Sequence, residues 1–67
     1  MTSQSRNQVC NGPLGVVVIE TREYQPNQFT FHIKVNGVEE FSLTMNGDFQ
    51  TCIKVVKLRL VSENYIY

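Results

Sequence analysis

Two alternating runs on either side of an Asn-Gly pair constrain this chain more than any other feature. Residues 29–35 read Phe-Thr-Phe-His-Ile-Lys-Val, and residues 38–45 read Val-Glu-Glu-Phe-Ser-Leu-Thr-Met. Side chains alternate across a strand, so Phe29, Phe31, Ile33 and Val35 share one face and Thr30, His32 and Lys34 the other. An Asn-Gly dipeptide between such runs is the strongest short-range signal for a β-hairpin. A two-residue turn at Asn36-Gly37 would oppose Ile33 to Glu40 and Phe31 to Ser42, mixing apolar and polar on one face. A three-residue loop, Val35-Asn36-Gly37, restores the parity, with Gly37 in the left-handed position of a bulge. Phe31 then faces Phe41, Phe29 faces Leu43, His32 meets Glu40 and Thr30 meets Ser42.

The same chemistry returns ten residues on, at Phe41, Leu43, Met45, Asn46 and Gly47. A second hairpin of the same turn type, with Leu43 opposite Phe49 and Gly47 at positive φ, follows from it. Upstream, Val16, Val17, Val18 and Ile19 form an unbroken β-branched run, the signature of a strand covered on both faces. Residues 49–61 carry two patterns. Phe49, Cys52, Ile53, Val56 and Leu60 fit a helical stripe with Asp48 as N-cap, whereas Ile53, Val55 and Val56 are β-branched and 57–60 alternate. The strand reading, with one bulge near Val55, is preferred. Pro26 places residues 22–28 in a loop.

The expected fold is therefore all-β: a small antiparallel meander of four strands, or five if residues 62–67 add one, forming a curled sheet or partial barrel. The strands fall at residues 14–21, 28–34, 38–44 and 49–61. The core is Val17, Ile19, Phe29, Phe31, Ile33, Phe41, Leu43, Ile53, Leu58 and Leu60. Residues 1–13 read as a flexible polar tail ended by the breaker Asn11-Gly12-Pro13, and residues 14–67 as one domain.

Size and charge bound the function. In 67 residues there are six cations and six acids, for a net charge of zero. A hydrophobic content of 42% with clear periodicity argues against disorder. A domain this small buries only about 60% of its unfolded surface, so it gains from a partner. No apolar run approaches the roughly 20 residues of a membrane helix. Residues 1–11 lack a signal-peptide core, which makes a cytoplasmic protein with free Cys10 and Cys52 the expectation. A Cys52→Ser change is then expected to cost little stability.

No pattern supports catalysis, a metal or a cofactor. The glycines are scattered among turns rather than gathered in a phosphate loop. The one histidine and two cysteines fall short of a four-ligand zinc set. In the strand reading His32, Glu40 and Cys52 fall on adjacent strands. With strands about 4.8 Å apart, however, His32 and Cys52 are two spacings apart, beyond nucleophile–base reach.

The expected function is a small non-enzymatic binding or regulatory protein, acting through protein–protein contacts as a homodimer. Compact all-β chains of this kind are common in viruses and mobile elements. Residues 14–21 form the expected open edge, with Val16, Val18, Tyr65 and Tyr67 at the interface. The alternative is a small-barrel nucleic-acid-binding module whose sheet face presents His32, Lys34, Lys54, Lys57 and Arg59, with the C-terminal tyrosines as stacking platforms. Zero net charge weighs against it.

Overall fold

The computed structural model describes residues 5–67. Four strands, β1 (Ser5–Gly12), β2 (Gly15–Gln25), β3 (Gln28–Val35) and β4 (Val38–Asn46), precede one helix, α1 (Phe49–Ser62). The strands pair antiparallel in chain order, each joined to the next by a tight turn. The expected all-β antiparallel meander of four strands forms, as an open sheet. Two segments exchange roles within it.

The first exchange is at the C-terminal end, where residues 49–61 are helical and not the expected strand. Asp48 caps the helix: its carboxylate accepts from the Thr51 backbone N–H at 3.0 Å and the Thr51 hydroxyl at 2.8 Å. Cys52, Ile53, Val56 and Leu60 lie on one stripe, and all are buried against the sheet. Burying that stripe outweighs the β-preference of Val55 and Val56, since propensity differences are under about 1 kcal/mol per residue. Leu58, expected in the core, is 70% exposed. Two residues from Leu60, it lies about 200° around the helix from it.

The second exchange is at the start. Ser5–Gly12, expected to be a tail, is strand β1, paired with β2 from Ser5 opposite Arg22 to Gly12 opposite Gly15. Asn11-Gly12-Pro13 thus ends a strand and does not mark a domain edge. Residues 1–4 of the expected tail lie outside the described residues. Strand β2 also runs further than expected, to Gln25, and Pro26 sits in the turn before β3.

The central hairpin keeps its extra residue but in a different place. Val35 pairs with Val38 across a two-residue turn, in which Asn36 has φ 52° and Gly37 φ 86°. Parity is restored one step later: Lys34 pairs with Glu39 and Ile33 with Phe41, so Glu40 is the bulged residue. Phe31 then faces Leu43, Phe29 faces Met45, His32 faces Ser42 and Thr30 faces Thr44. Tertiary contacts explain the choice. The Asn36 side chain accepts from the Val16 N–H at 3.1 Å and donates to the Leu14 carbonyl at 2.9 Å. The Asn36 N–H also donates to the Val16 carbonyl at 2.8 Å. These bonds hold Asn36 in its left-handed conformation, and the two-residue turn follows.

Gly47 has φ 130°, positive as expected, but it leads into the helix and not into a second hairpin. At the other end of α1, Asn64 has φ 64°, and the Tyr65 N–H returns to the Leu60 carbonyl at 2.8 Å. The chain then folds back onto the end of β1. Ile66 is buried, and the Tyr67 N–H donates to the Asn11 carbonyl at 3.2 Å. Gly12 makes that close approach feasible, because a Cβ there would lie 1.7 Å from the Tyr65 carbonyl oxygen.

The core lies between α1 and one face of the sheet. Val17, Ile19, Phe31, Ile33, Val56 and Leu60 are fully buried. Phe29 and Ile53 are buried as expected, while Phe41 and Leu43 pack half-buried at the rim. Val35, Cys52, Val56 and Ile66 join the core beyond the expected set. Phe49 meets Phe29 edge-on at 5.7 Å, and the Arg6 guanidinium covers its ring at 4.4 Å.

Candidate binding surfaces

Alternation that turns Val17 and Ile19 toward α1 turns Val16 and Val18 toward the opposite, open face of the sheet. Val9 pairs with Val18, and Asn11 with Val16, so Val9 joins the same patch. Val9 is 69% and Val16 46% exposed, with Val18 half-buried between Val9 and Lys34. Leu14, in the adjoining turn, is also exposed. Val9 was missed because β1 reads as a polar tail.

Beyond the valines the open face is polar. The Glu20 carboxylate sits 3.6 Å from Lys34 Nζ and 3.9 Å from Arg22 Nη2. Such surface pairs each contribute about 0–1 kcal/mol. His32 Nδ1 lies 3.2 Å from Glu39 Oε1, so its carboxylate neighbour is Glu39 and not the expected Glu40. The Thr30 and Thr44 hydroxyls hydrogen-bond across β3 and β4 at 3.1 Å.

The structure revises the expected edge. Strand β2 is interior, flanked by β1 and β3, so its backbone groups are already paired. The edges are β1 and β4. Of the expected interface residues, Val16 and Val18 lie on the open face. Tyr65 packs on the helix side, its ring 5.6 Å from that of Phe41. Tyr67 is 84% exposed at the chain end.

The expected basic set divides as well. His32 and Lys34 lie on the open face, while Lys54, Lys57 and Arg59 belong to α1, across the sheet. The Arg59 Nε–H donates to Glu63 at 2.9 Å, and its guanidinium lies over the Phe41 ring at 5.3 Å. The helix has an apolar outer stripe that a strand reading conceals. Val55, Leu58 and Val61 are exposed, and Lys54 and Lys57 border a shallow groove with Leu58 and Val61.

His32 and Cys52 are now on opposite sides of the sheet, which dissolves the acid–imidazole–thiol alignment. Cys10 and Cys52 are both free thiols. Burial, reinforced by the Asp48 carboxylate, pushes the Cys52 thiol up and disfavours its thiolate. The Thr51 N–H and hydroxyl hold the Asp48 carboxyl below its ordinary value. Among the described residues, no group of three or more His, Cys, Asp or Glu side chains is placed to hold a metal ion. No helix among them is long and apolar enough to cross a membrane.

No family model, curated protein or solved structure matches this chain.

Proposed function

We propose that this chain is a non-enzymatic binding or regulatory protein that acts through protein–protein contacts and works as a homodimer in the cytoplasm. One observation carries the reading: Val9, Val16 and Val18 sit side by side on the sheet face that α1 leaves open. Fully burying an aliphatic side chain is worth about 1.5–3 kcal/mol, so a partner gains by covering them. The surrounding Glu20, Arg22 and Lys34 supply a polar rim, the usual border of an apolar contact.

The test uses the full chain and a Val9→Lys/Val16→Lys double variant, immobilised separately and exposed to host extract. The expected result is a protein retained by the wild type and lost by the variant, with both chains showing the same circular dichroism. Equal retention by the two would overturn the valine assignment.

A nucleic-acid role is the second reading, supported by Arg22, His32 and Lys34 on one face and the exposed Tyr24 at the end of β2. The expected basic stripe is split between two sides of the sheet, which leaves few phosphates to neutralise and only weak, salt-labile binding. Micromolar retention of single strands at physiological salt would reverse the order of the two readings.

A further inference from the structure

We infer that the dimer forms by antiparallel pairing of β4 with β4 of a second copy, on a two-fold axis at Leu43. The inference rests on the homodimer reading above and gives it a geometry, one that leaves the valine face free for another protein.

The two edges of the sheet differ. At the end of β1 the chain's own tail is docked, through the Tyr67 N–H bond to the Asn11 carbonyl. Strand β4 is the other edge, and among the described residues no strand pairs with its outer side. Edge strands are normally guarded by charge, proline or a bulge. In β4 the guards sit at one end, where Glu39 and the bulged Glu40 follow the turn. The stretch Phe41-Ser42-Leu43-Thr44-Met45 has no charge, proline or glycine.

That stretch is also self-complementary. In antiparallel pairing about Leu43, Leu43 faces its own copy and Phe41 faces Met45 of the second copy. Ser42 faces Thr44, hydroxyl to hydroxyl. Sulfur–aromatic and hydroxyl cross-strand pairs are both favourable. Charge is compatible, because Glu40 falls opposite Asn46 and Glu39 opposite Gly47, so no acid opposes an acid. A shift of one residue in this register would put Phe41 opposite Thr44 and mix the two faces.

The helix side of β4 needs such a cover. Phe41, Leu43 and Met45 point toward α1 yet remain half-buried, at the rim of the core. The two-fold pairing sets the same three residues of the second copy beside them. The two cores join along an eight-stranded sheet, with both helices on one side. Isologous contact of this kind is the commonest mode of assembly.

The experiment is light scattering on size-exclusion fractions of the full chain and of two double variants at exposed positions. Ser42→Lys/Thr44→Lys opposes lysine to lysine twice across the two-fold axis. Ser42→Glu/Thr44→Lys opposes glutamate to lysine twice. Both lose the same Thr30–Thr44 bond, and circular dichroism checks that both fold as the wild type does. The wild type and the Glu/Lys variant are expected to run at twice the 7.7 kDa chain mass. The Lys/Lys variant is expected to run as a monomer, with its dimer dissociation constant raised more than tenfold. A monomeric wild type would overturn both this inference and the homodimer. A Lys/Lys variant that stays dimeric would overturn the β4 contact alone. Loss of the dimer in both variants would overturn the Leu43 register.

Discussion

The two faces of β2 come from one run of residues and meet opposite fates. Val17, Ile19 and Thr21 are dry under α1, while Val16, Val18 and Glu20 face outward. An uninterrupted apolar strand normally has both faces covered. Here the chain covers one face itself, with the stripe of α1, and presents Val16 and Val18 on the other, with Val9 of β1 beside them. The lesson is that Val17 and Ile19 answer to the fold, whereas Val9, Val16 and Val18 answer to something outside it. Substitutions on the two sides separate these roles.

The largest expected effect is at Phe31, which is fully buried and packs against both Phe29 and Phe49. Phe31→Ala should cost about 3–5 kcal/mol, enough to unfold most of a domain this small. His32→Ala, one residue along on the open face, should stay within about 0.5 kcal/mol of wild type. Urea titration of the pair measures the contrast, and comparable losses would break it.

Next in size is Gly12→Ala. The new methyl group cannot share space with the Tyr65 carbonyl, so the tail must lift and Ile66 leave the core. A loss of about 1–3 kcal/mol is expected, read by urea titration and by the change in tyrosine fluorescence.

Cys52→Ser sharpens the comparison from the helix side. A surface thiol would tolerate the change, as the strand reading expects. In the structure Cys52 is 2% exposed, within the core. Burying a hydroxyl there should cost about 1–3 kcal/mol, with Cys52→Ala less harmful in the same titration. The raised thiol pKa also predicts that Cys10 alkylates before Cys52 at neutral pH.

The smallest effect is at Asp48, on the surface. Its folded-state pKa is lowered from 3.8, so its stabilising contribution is present above that value and lost as pH falls through the folded one. An Asp48→Ala variant should therefore melt below wild type at neutral pH, and the gap should narrow as the pH falls below 3.8. A gap independent of pH would show that the cap does not act through its charge.

Much of the sheet was legible because its signals are local. Period-two alternation and the Asn-Gly pair mark β3 and β4 from residues within a few positions of each other. The parity conflict at Glu40 was legible too, as the need for one extra residue. Its position depended on Asn36 reaching Val16 and Leu14, some 20 residues away in the chain. β1 was hidden because an edge strand needs little apolar content. Val9 and Cys10 are the only apolar residues in Ser5–Gly12, and the strand is held by pairing with β2. In α1, β-branched residues masked a helical stripe whose stability comes from the sheet beneath it. The basic set scattered for the same reason: Lys54, Lys57 and Arg59 follow the helix, so they cannot join Lys34 on one face.

A one-sided core is tested most directly by two lysines placed one residue apart on β2. Val17→Lys puts a charge where no solvent reaches, and Val16→Lys puts one at a position 46% exposed. In urea titrations monitored by circular dichroism, Val17→Lys should be unfolded without denaturant, because an unpaired buried charge costs more than about 4 kcal/mol. Val16→Lys should unfold within about 0.5 kcal/mol of wild type. Equal destabilisation by the two substitutions would contradict a core confined to the helix side of the sheet.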